Sequence, residues 1–416
     1  MTGRRWILSF VLIFTLSVQA SAAPVQVIVQ LKSNSLLGNV LNLLDGVLLD
    51  SIPEANIYLL KLPKLPIVSS LLGNLLGILW TEPNVGVVQP PSGRFGVLQT
   101  QSPAADWYKY QPAFQKVRAQ QALAYSRGEG VVIADINGLV DYAHPALQGH
   151  LTGGSDFVSG RSYSAADLNQ SSSSFLDQSS SSFLDQSSSN FLDQSSSSFL
   201  DDRMLAFADN PAYSHGTLTV GVIAAVAPAA MIMPVRAFDE NGEADLFTLA
   251  KAIRYSAKNG ADVINMSFDT MTDSKAIRNA IDYAKASGVI LVASAGNNNT
   301  SSLQYPAAYS GVITVASTDL NDIKGSFSNY GSTIEVTAPG VNIISAYPQG
   351  YYAMVSGTSF SAPMVAGQAA LIRSMRSSGI TSSITSSSIN IDWKNPAYAR
   401  RLGSGRIDIL RSIRGW

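Results

Sequence analysis

Residues 263 to 294 read VINMSFDTMTDSKAIRNAIDYAKASGVILVAS. Val263 to Ser267 and Val289 to Ser294 are short apolar runs, and Ser274 to Ser287 between them carries apolar residues at helical spacing. A strand, a helix and a second apolar strand describe a parallel sheet covered on both faces. The alternation continues outwards, with strands at Val131 to Ile136, Met231 to Arg236 and Val312 to Ser317 and a helical pattern at Leu246 to Asn259. The expectation is a doubly wound, mostly parallel α/β domain over 107–416, with its site beyond the carboxyl ends of the strands.

Ahead of this domain, residues 24–101 read as a small α+β unit of βαββαβ type. Its apolar segments are Val25 to Leu31, Leu36 to Leu49, Ile57 to Leu62, Ile67 to Leu79 and Val85 to Gln89. A polar stretch from Pro90 to Asp106 marks the boundary. Residues 1–22 have the form of a secretory signal: Arg4 and Arg5, an apolar run from Trp6 to Val18, then Ala20-Ser21-Ala22 for cleavage. The apolar run is too short to span a bilayer, and no later segment is long and apolar enough. A secreted, periplasmic or cell-surface location is therefore expected.

Within the second domain, residues 170–201 are four copies of Gln-Ser-Ser-Ser-Ser-Phe-Leu-Asp, with Asn190 the one departure. An even period keeps Phe175, Phe183, Phe191 and Phe199 on one face of an extended segment, whereas it drifts around a helix. A serine-rich insert is expected, with a Phe-Leu ladder that binds a partner as the alternative. Hydrophobic residues make up 46% of the 416, enough for a sizeable core, and a net charge of −1 argues against nucleic acid as a partner. With no cysteine, disulfides and thiol chemistry are excluded.

The chemistry concentrates in two segments. Ser356-Gly357-Thr358-Ser359 turns into a run of small residues, which places Ser359 at the front of a helix where free N–H groups favour a developing oxyanion. Serine is also a common helix cap, and Pro363 is tolerated in a first turn. Of three histidines, His215 heads His-Gly-Thr-Leu-Thr, where a glycine allows close approach, while His144 and His150 read as structural or surface residues.

Taken together these motifs resemble the subtilisin-type serine peptidases. The His215 segment is similar to that family's histidine helix, and Gly357-Thr358-Ser359 with Pro363 is similar to its nucleophile helix. Ser294-Ala295-Gly296-Asn297 resembles the strand end that supplies an oxyanion-hole asparagine, which implies Asn297 as side-chain donor. Asn265-Met266-Ser267-Phe268 resembles the strand whose edge pairs with substrate, which implies Ser267 and Phe268 as substrate-binding residues. The first unit resembles the inhibitory propeptide, so protein or peptide substrates and the chain's own N-terminal unit are the implied partners. No cofactor is required. Calcium, which many members bind, is left open, since Asp141, Asp239, Asp319 and Asp322 read as turn or cap residues and form no ligand loop.

One departure concerns the acidic member of the triad. An ungapped match of Gly130 and of Val140-Asp141 places Asn137, not Asp135, in the aspartate position. An asparagine can bond the imidazole but supplies no negative charge, and in a comparable triad the change costs about 10⁴ in turnover. Asp135 lies on the same strand face two residues earlier and is the alternative partner of His215. The expected activity is an exported serine endopeptidase acting through a Ser359 acyl-enzyme with His215 as general base. The rival is a catalytically impaired homologue that serves as a peptide-binding or surface scaffold.

Overall fold

The computed structural model describes residues 24–64, 73, 76–89, 96–98, 107–164 and 211–415. The export signal at 1–22, most of the 90–106 boundary and the octapeptide insert at 170–201 lie outside the described residues. The chain divides into two compact units, Met1–Asn84 and Val85–Trp416.

The first unit contains β1 (Val25–Leu31), α1 (Leu37–Leu44), β2 (Val47–Ile52), β3 (Ile57–Leu62) and β4 (Ile78–Pro83). Its sheet runs β2-β3-β1-β4 and every pairing is antiparallel. Period-2 alternation turns Val27, Val29 and Leu31 of β1 and Tyr58, Leu60 and Leu62 of β3 onto one face, where Val40 of α1 closes the core. Two expectations change. The helix read at Leu36 to Leu49 stops at Leu44, because Asp45 takes a left-handed cap (φ 50) and the chain re-enters as β2. The segment Val85 to Gln89 does not join this sheet, in which β1 already has both edges filled by β3 and β4. It belongs to the second unit as β5 (Gly86–Val88).

The second unit is built on an eight-stranded sheet, formed by β7 (Val132–Asn137), β8 (Gly154–Asp156), β9 (Arg161–Tyr163), β10 (Met231–Arg236), β12 (Val263–Met266), β13 (Ile290–Ser294), β14 (Val312–Thr318) and β15 (Val336–Pro339). The order is β15-β14-β13-β12-β7-β10-β8-β9, parallel throughout except for β8 against β9. β11 (Glu243–Asp245) pairs antiparallel with β5, and β16 (Ile343–Tyr347) and β17 (Tyr351–Val355) form a small antiparallel sheet with β6 (Gly96–Leu98).

Two helix pairs flank the sheet. α3 (Leu246–Lys258) packs on α4 (Lys275–Ala286), and both are amphipathic, with Asp245 and Ser274 capping their first turns. α2 (Pro211–Val226) packs on α5 (Thr358–Arg373). Both helices are buried on every side where described, as a core helix is: all residues from Ser214 to Val226 and from Thr358 to Ile372 are buried. Small residues let them close on their neighbours. A Cβ at Gly367 would stand 2.8 Å from Val226 Cβ, and one at Gly216 would stand 2.4 Å from the Leu139 carbonyl oxygen. Gly216 therefore lets α2 press on the loop that leaves β7, which brings His215 to the end of that strand.

Candidate active site

β7 ends in Asp135-Ile136-Asn137, and alternation turns Asp135 and Asn137 to the same side. Both are buried, as are His215 and Ser359. Asn137 is the residue that meets the histidine, with its Oδ1 2.8 Å from His215 Nδ1. Asp135 stands behind it. The Asp135 carboxylate accepts from Asn137 Nδ2 at 3.1 Å and from Thr219 Oγ1 at 2.8 Å on one oxygen, and from Asn265 Nδ2 at 2.7 Å on the other. Burial pushes its pKa up to about 6, against the pull of these three donors.

Thr219 lies four residues after His215 on α2, so both side chains share one helix face. Its hydroxyl donates to Asp135 and accepts from Asn137 Nδ2 at 2.9 Å. Asn265 lies on β12, in register with Asp135. Thr219 and Asn265 were not among the residues singled out from the sequence for this network. The i, i+4 spacing in His-Gly-Thr-Leu-Thr was the available signal for the first.

Gln89 is the less expected neighbour. Its backbone N–H donates to Gly242 O at 2.8 Å, extending the β5–β11 pairing, and its side chain is buried. The Gln89 amide nitrogen reaches Asn137 Oδ1 in a short contact and lies 2.9 Å from His215 Nδ1. Asn137 Oδ1, His215 Nδ1 and Gln89 Nε2 thus form a triangle. The imidazole nitrogen either donates to Asn137 or accepts from Gln89. Burial drives the His215 pKa down to about 3, since no carboxylate touches the ring. His215 Nε2 and Ser359 Oγ have no hydrogen-bond partner among the described residues.

Ser359 is the second residue of α5 and its backbone N–H is one of the unpaired donors of the first turn. Pro363 sits inside the helix rather than in its first turn. Lacking an N–H, it leaves the Ser359 carbonyl without its i+4 donor, and Ser267 Oγ supplies that bond at 3.0 Å. Ser267 in turn accepts from Asn265 at 3.0 Å, so a continuous polar chain runs from Asp135 to the nucleophile turn. Phe268 points the other way. Its ring is fully buried against Phe238 at 5.4 Å, which leaves only its backbone for contact with a ligand.

Asn297 follows β13 and Gly296. Its Oδ1 accepts from Thr358 N–H and Thr358 Oγ1, both at 2.9 Å. These two donors fix the amide orientation and leave Nδ2 unengaged beside the turn before Ser359. His144 serves a turn, accepting from Ala146 N–H at 3.0 Å. The acids considered for calcium are committed elsewhere. Asp141, Asp239 and Asp319 each accept backbone N–H groups of nearby turns, and Asp322 pairs with Lys116 and Arg406. Among the described residues no group of three acidic or histidine side chains converges that could hold a metal ion.

A parallel sheet that delivers a serine at the head of a buried helix, with a histidine helix and an asparagine strand end beside it, has the subtilisin-like fold. Residues 128–393 match the model of the subtilase family, and the chain belongs to that family. Thermitase from Thermoactinomyces vulgaris is 33% identical over 311 residues, covering 72% of this chain and 94% of thermitase. A thermophilic serine proteinase from Bacillus sp. (strain AK1) is 36% identical over 278 residues, 64% of this chain and 58% of that protein. The structure of fervidolysin from Fervidobacterium pennivorans, a keratinolytic enzyme related to subtilisin, superposes with a TM-score of 0.70 at 23% identity. That match covers 95% of this chain and 61% of fervidolysin, and it bears on the fold alone.

Proposed function

We propose that the chain is an exported serine endopeptidase. Ser359 Oγ attacks the scissile carbonyl, His215 Nε2 takes its proton and returns it to the leaving amine, and the Ser359 N–H with Asn297 Nδ2 holds the oxyanion. Asn137 orients the imidazole, backed by Asp135. The observation that carries this reading is the grip of Thr358 on Asn297 Oδ1, which leaves two N–H donors next to the nucleophile. Export rests on Arg4, Arg5 and the apolar run that follows them. The first unit is read as a propeptide, supported by β5 and Gln89, the segment that follows it in the chain and lies against β11 and His215.

A fluorophosphonate should label the purified protein and fail to label Ser359→Ala. Folded, processed protein that neither labels nor cleaves peptides overturns the proposal. The second reading, an impaired homologue that retains a peptide groove, is favoured by one observation: an amide rather than a carboxylate faces His215. Asn137→Asp decides between them.

A further inference from the structure

Asp269 follows β12 by three residues and has no role in the chemistry above. Its burial is extensive enough to raise its pKa to about 6, with desolvation the sole cause. Among the described residues no hydrogen bond or ion pair reaches its carboxylate. The buried acids are compensated: Asp135 by three donors, Asp141 by backbone N–H groups, Asp156 by Arg236, Asp322 by Lys116 and Arg406, Asp408 by Arg118. A half-buried carboxylate with no partner among the described residues is open to a cation from outside the chain.

Its position says which cation. Ser267, two residues earlier in the chain, bonds the Ser359 carbonyl, so Asp269 follows closely on the segment that holds the nucleophile turn. On the other side stands Gly296, where an added Cβ would lie 2.4 Å from Asn329 Nδ2 and 3.3 Å from Asp269 Oδ2. Gly296 adopts φ 97 and immediately precedes Asn297, the candidate oxyanion donor. A substrate carbonyl held by Asn297 Nδ2 and the Ser359 N–H would set the side chain on its own α-carbon near Gly296 and Asp269. A lysine or arginine side chain spans the distance to the carboxylate, and an aspartate so placed in a peptidase pocket selects basic residues.

We propose that Asp269 is a specificity-determining residue that selects lysine or arginine on the acyl side of the scissile bond. The proposal rests on the serine-peptidase reading. It is tested with the full chain as secreted, on peptide p-nitroanilides that differ only in the residue before the anilide. The ratio of kcat/KM for arginine to that for leucine should exceed ten, and Asp269→Asn should reduce that ratio at least tenfold. Using a ratio within one protein removes any difference in folded fraction. Benzamidine, a small cation that needs no turnover, should slow fluorophosphonate labelling of Ser359 in the wild type and not in Asp269→Asn. A labelled enzyme that prefers leucine, or a ratio unmoved by Asp269→Asn, overturns this inference and leaves the peptidase reading standing. Absence of labelling removes the peptidase reading and this inference with it.

Discussion

Asn137 Nδ2 lies 3.1 Å from Asp135 Oδ2, and this contact decides which atom of the amide faces His215. An asparagine side chain alone can present either its oxygen or its nitrogen. The carboxylate is an acceptor only, so it demands the NH₂ group, and the Oδ1 is left for the imidazole. A histidine that donates from Nδ1 to this oxygen keeps Nε2 free to accept a proton, the tautomer a general base requires. In a triad where asparagine lacks such a partner the wrong tautomer prevails at a cost of about 10⁴. Asp135 therefore does not face the imidazole itself; it sets the orientation of Asn137, which does.

Asp135→Asn replaces an acceptor-only group with an amide that can present either atom, so the Asn137 orientation is no longer fixed. The expected result is a fall in kcat of about tenfold to a hundredfold with little change in KM, because the imidazole rather than the substrate is affected. Steady-state kinetics on a peptide substrate measure this. Equal losses in Asp135→Asn and Asp135→Ala with a raised KM would instead indicate general damage to the fold.

The same substitution should change stability with pH. Asp135 has a folded pKa of about 6 against an ordinary value of 3.8, so the native state binds its proton more tightly than the unfolded chain. The contribution of this group to stability is thus fully present below pH 4, falls as pH rises through the window up to about 6, and stays lost above it. Asp135→Asn removes this loss, so its stability relative to wild type should rise across that window by on the order of 2 kcal/mol. Urea unfolding at pH 4 and pH 7.5 supplies the comparison, and a difference independent of pH rules the account out.

Asn137→Asp places a charge beside the imidazole but also sets two carboxylates side by side, and one of the two must keep a proton into the neutral range. Above that range the pair can ionise and stabilise the imidazolium. The rate gain should therefore be small at pH 6 and reach about tenfold or more at pH 9, read as kcat/KM against pH. A flat ratio of mutant to wild type would show that the missing charge does not limit turnover.

Gly216→Ala tests how α2 is held. The added methyl would meet the Leu139 carbonyl oxygen at 2.4 Å, a backbone atom that cannot step aside without moving the loop after β7. A loss of about 1 to 3 kcal/mol in unfolding free energy is expected, together with a larger relative loss of kcat as His215 is displaced from Asn137. Thermal unfolding and kinetics on one preparation separate the two effects.

Much of this was legible in the sequence because it is local. The α4 segment announces itself by its 3.6-residue period and its Ser274 cap, and β12 and β13 by short apolar runs on either side. The first unit was harder: Val47-Leu48-Leu49 has the same leucine-rich composition as the helix before it, and only Asp45 in a left-handed conformation separates them. Alternation placed Asp135 and Asn137 on one face but could not say which meets the histidine, since that depends on how closely Gly216 lets α2 approach. Gln89 was not legible at all as a site residue. Its place depends on a pairing with β11 across nearly half the second unit, and no local pattern encodes that partner.

Gln89 works against the arrangement that Asp135 sets up. Its amide nitrogen, 2.9 Å from His215 Nδ1, can only donate. For that bond to form, Nδ1 must give up its hydrogen, which moves the proton to Nε2 and leaves nothing to accept from Ser359. When Gln89 donates to Nδ1 rather than to Asn137 Oδ1, the base is in the unproductive tautomer. Gln89→Ala in the full chain should therefore raise the rate of fluorophosphonate labelling at Ser359 by about tenfold, with Ser359→Ala as the blank. Gln89→Glu provides the sharper comparison, since a carboxylate there accepts from Nδ1 and restores the productive tautomer while still filling the space. Faster labelling in both variants assigns the block to the donor hydrogen; faster labelling in Gln89→Ala alone assigns it to bulk. Wild-type rates in both would show the glutamine to be a bystander.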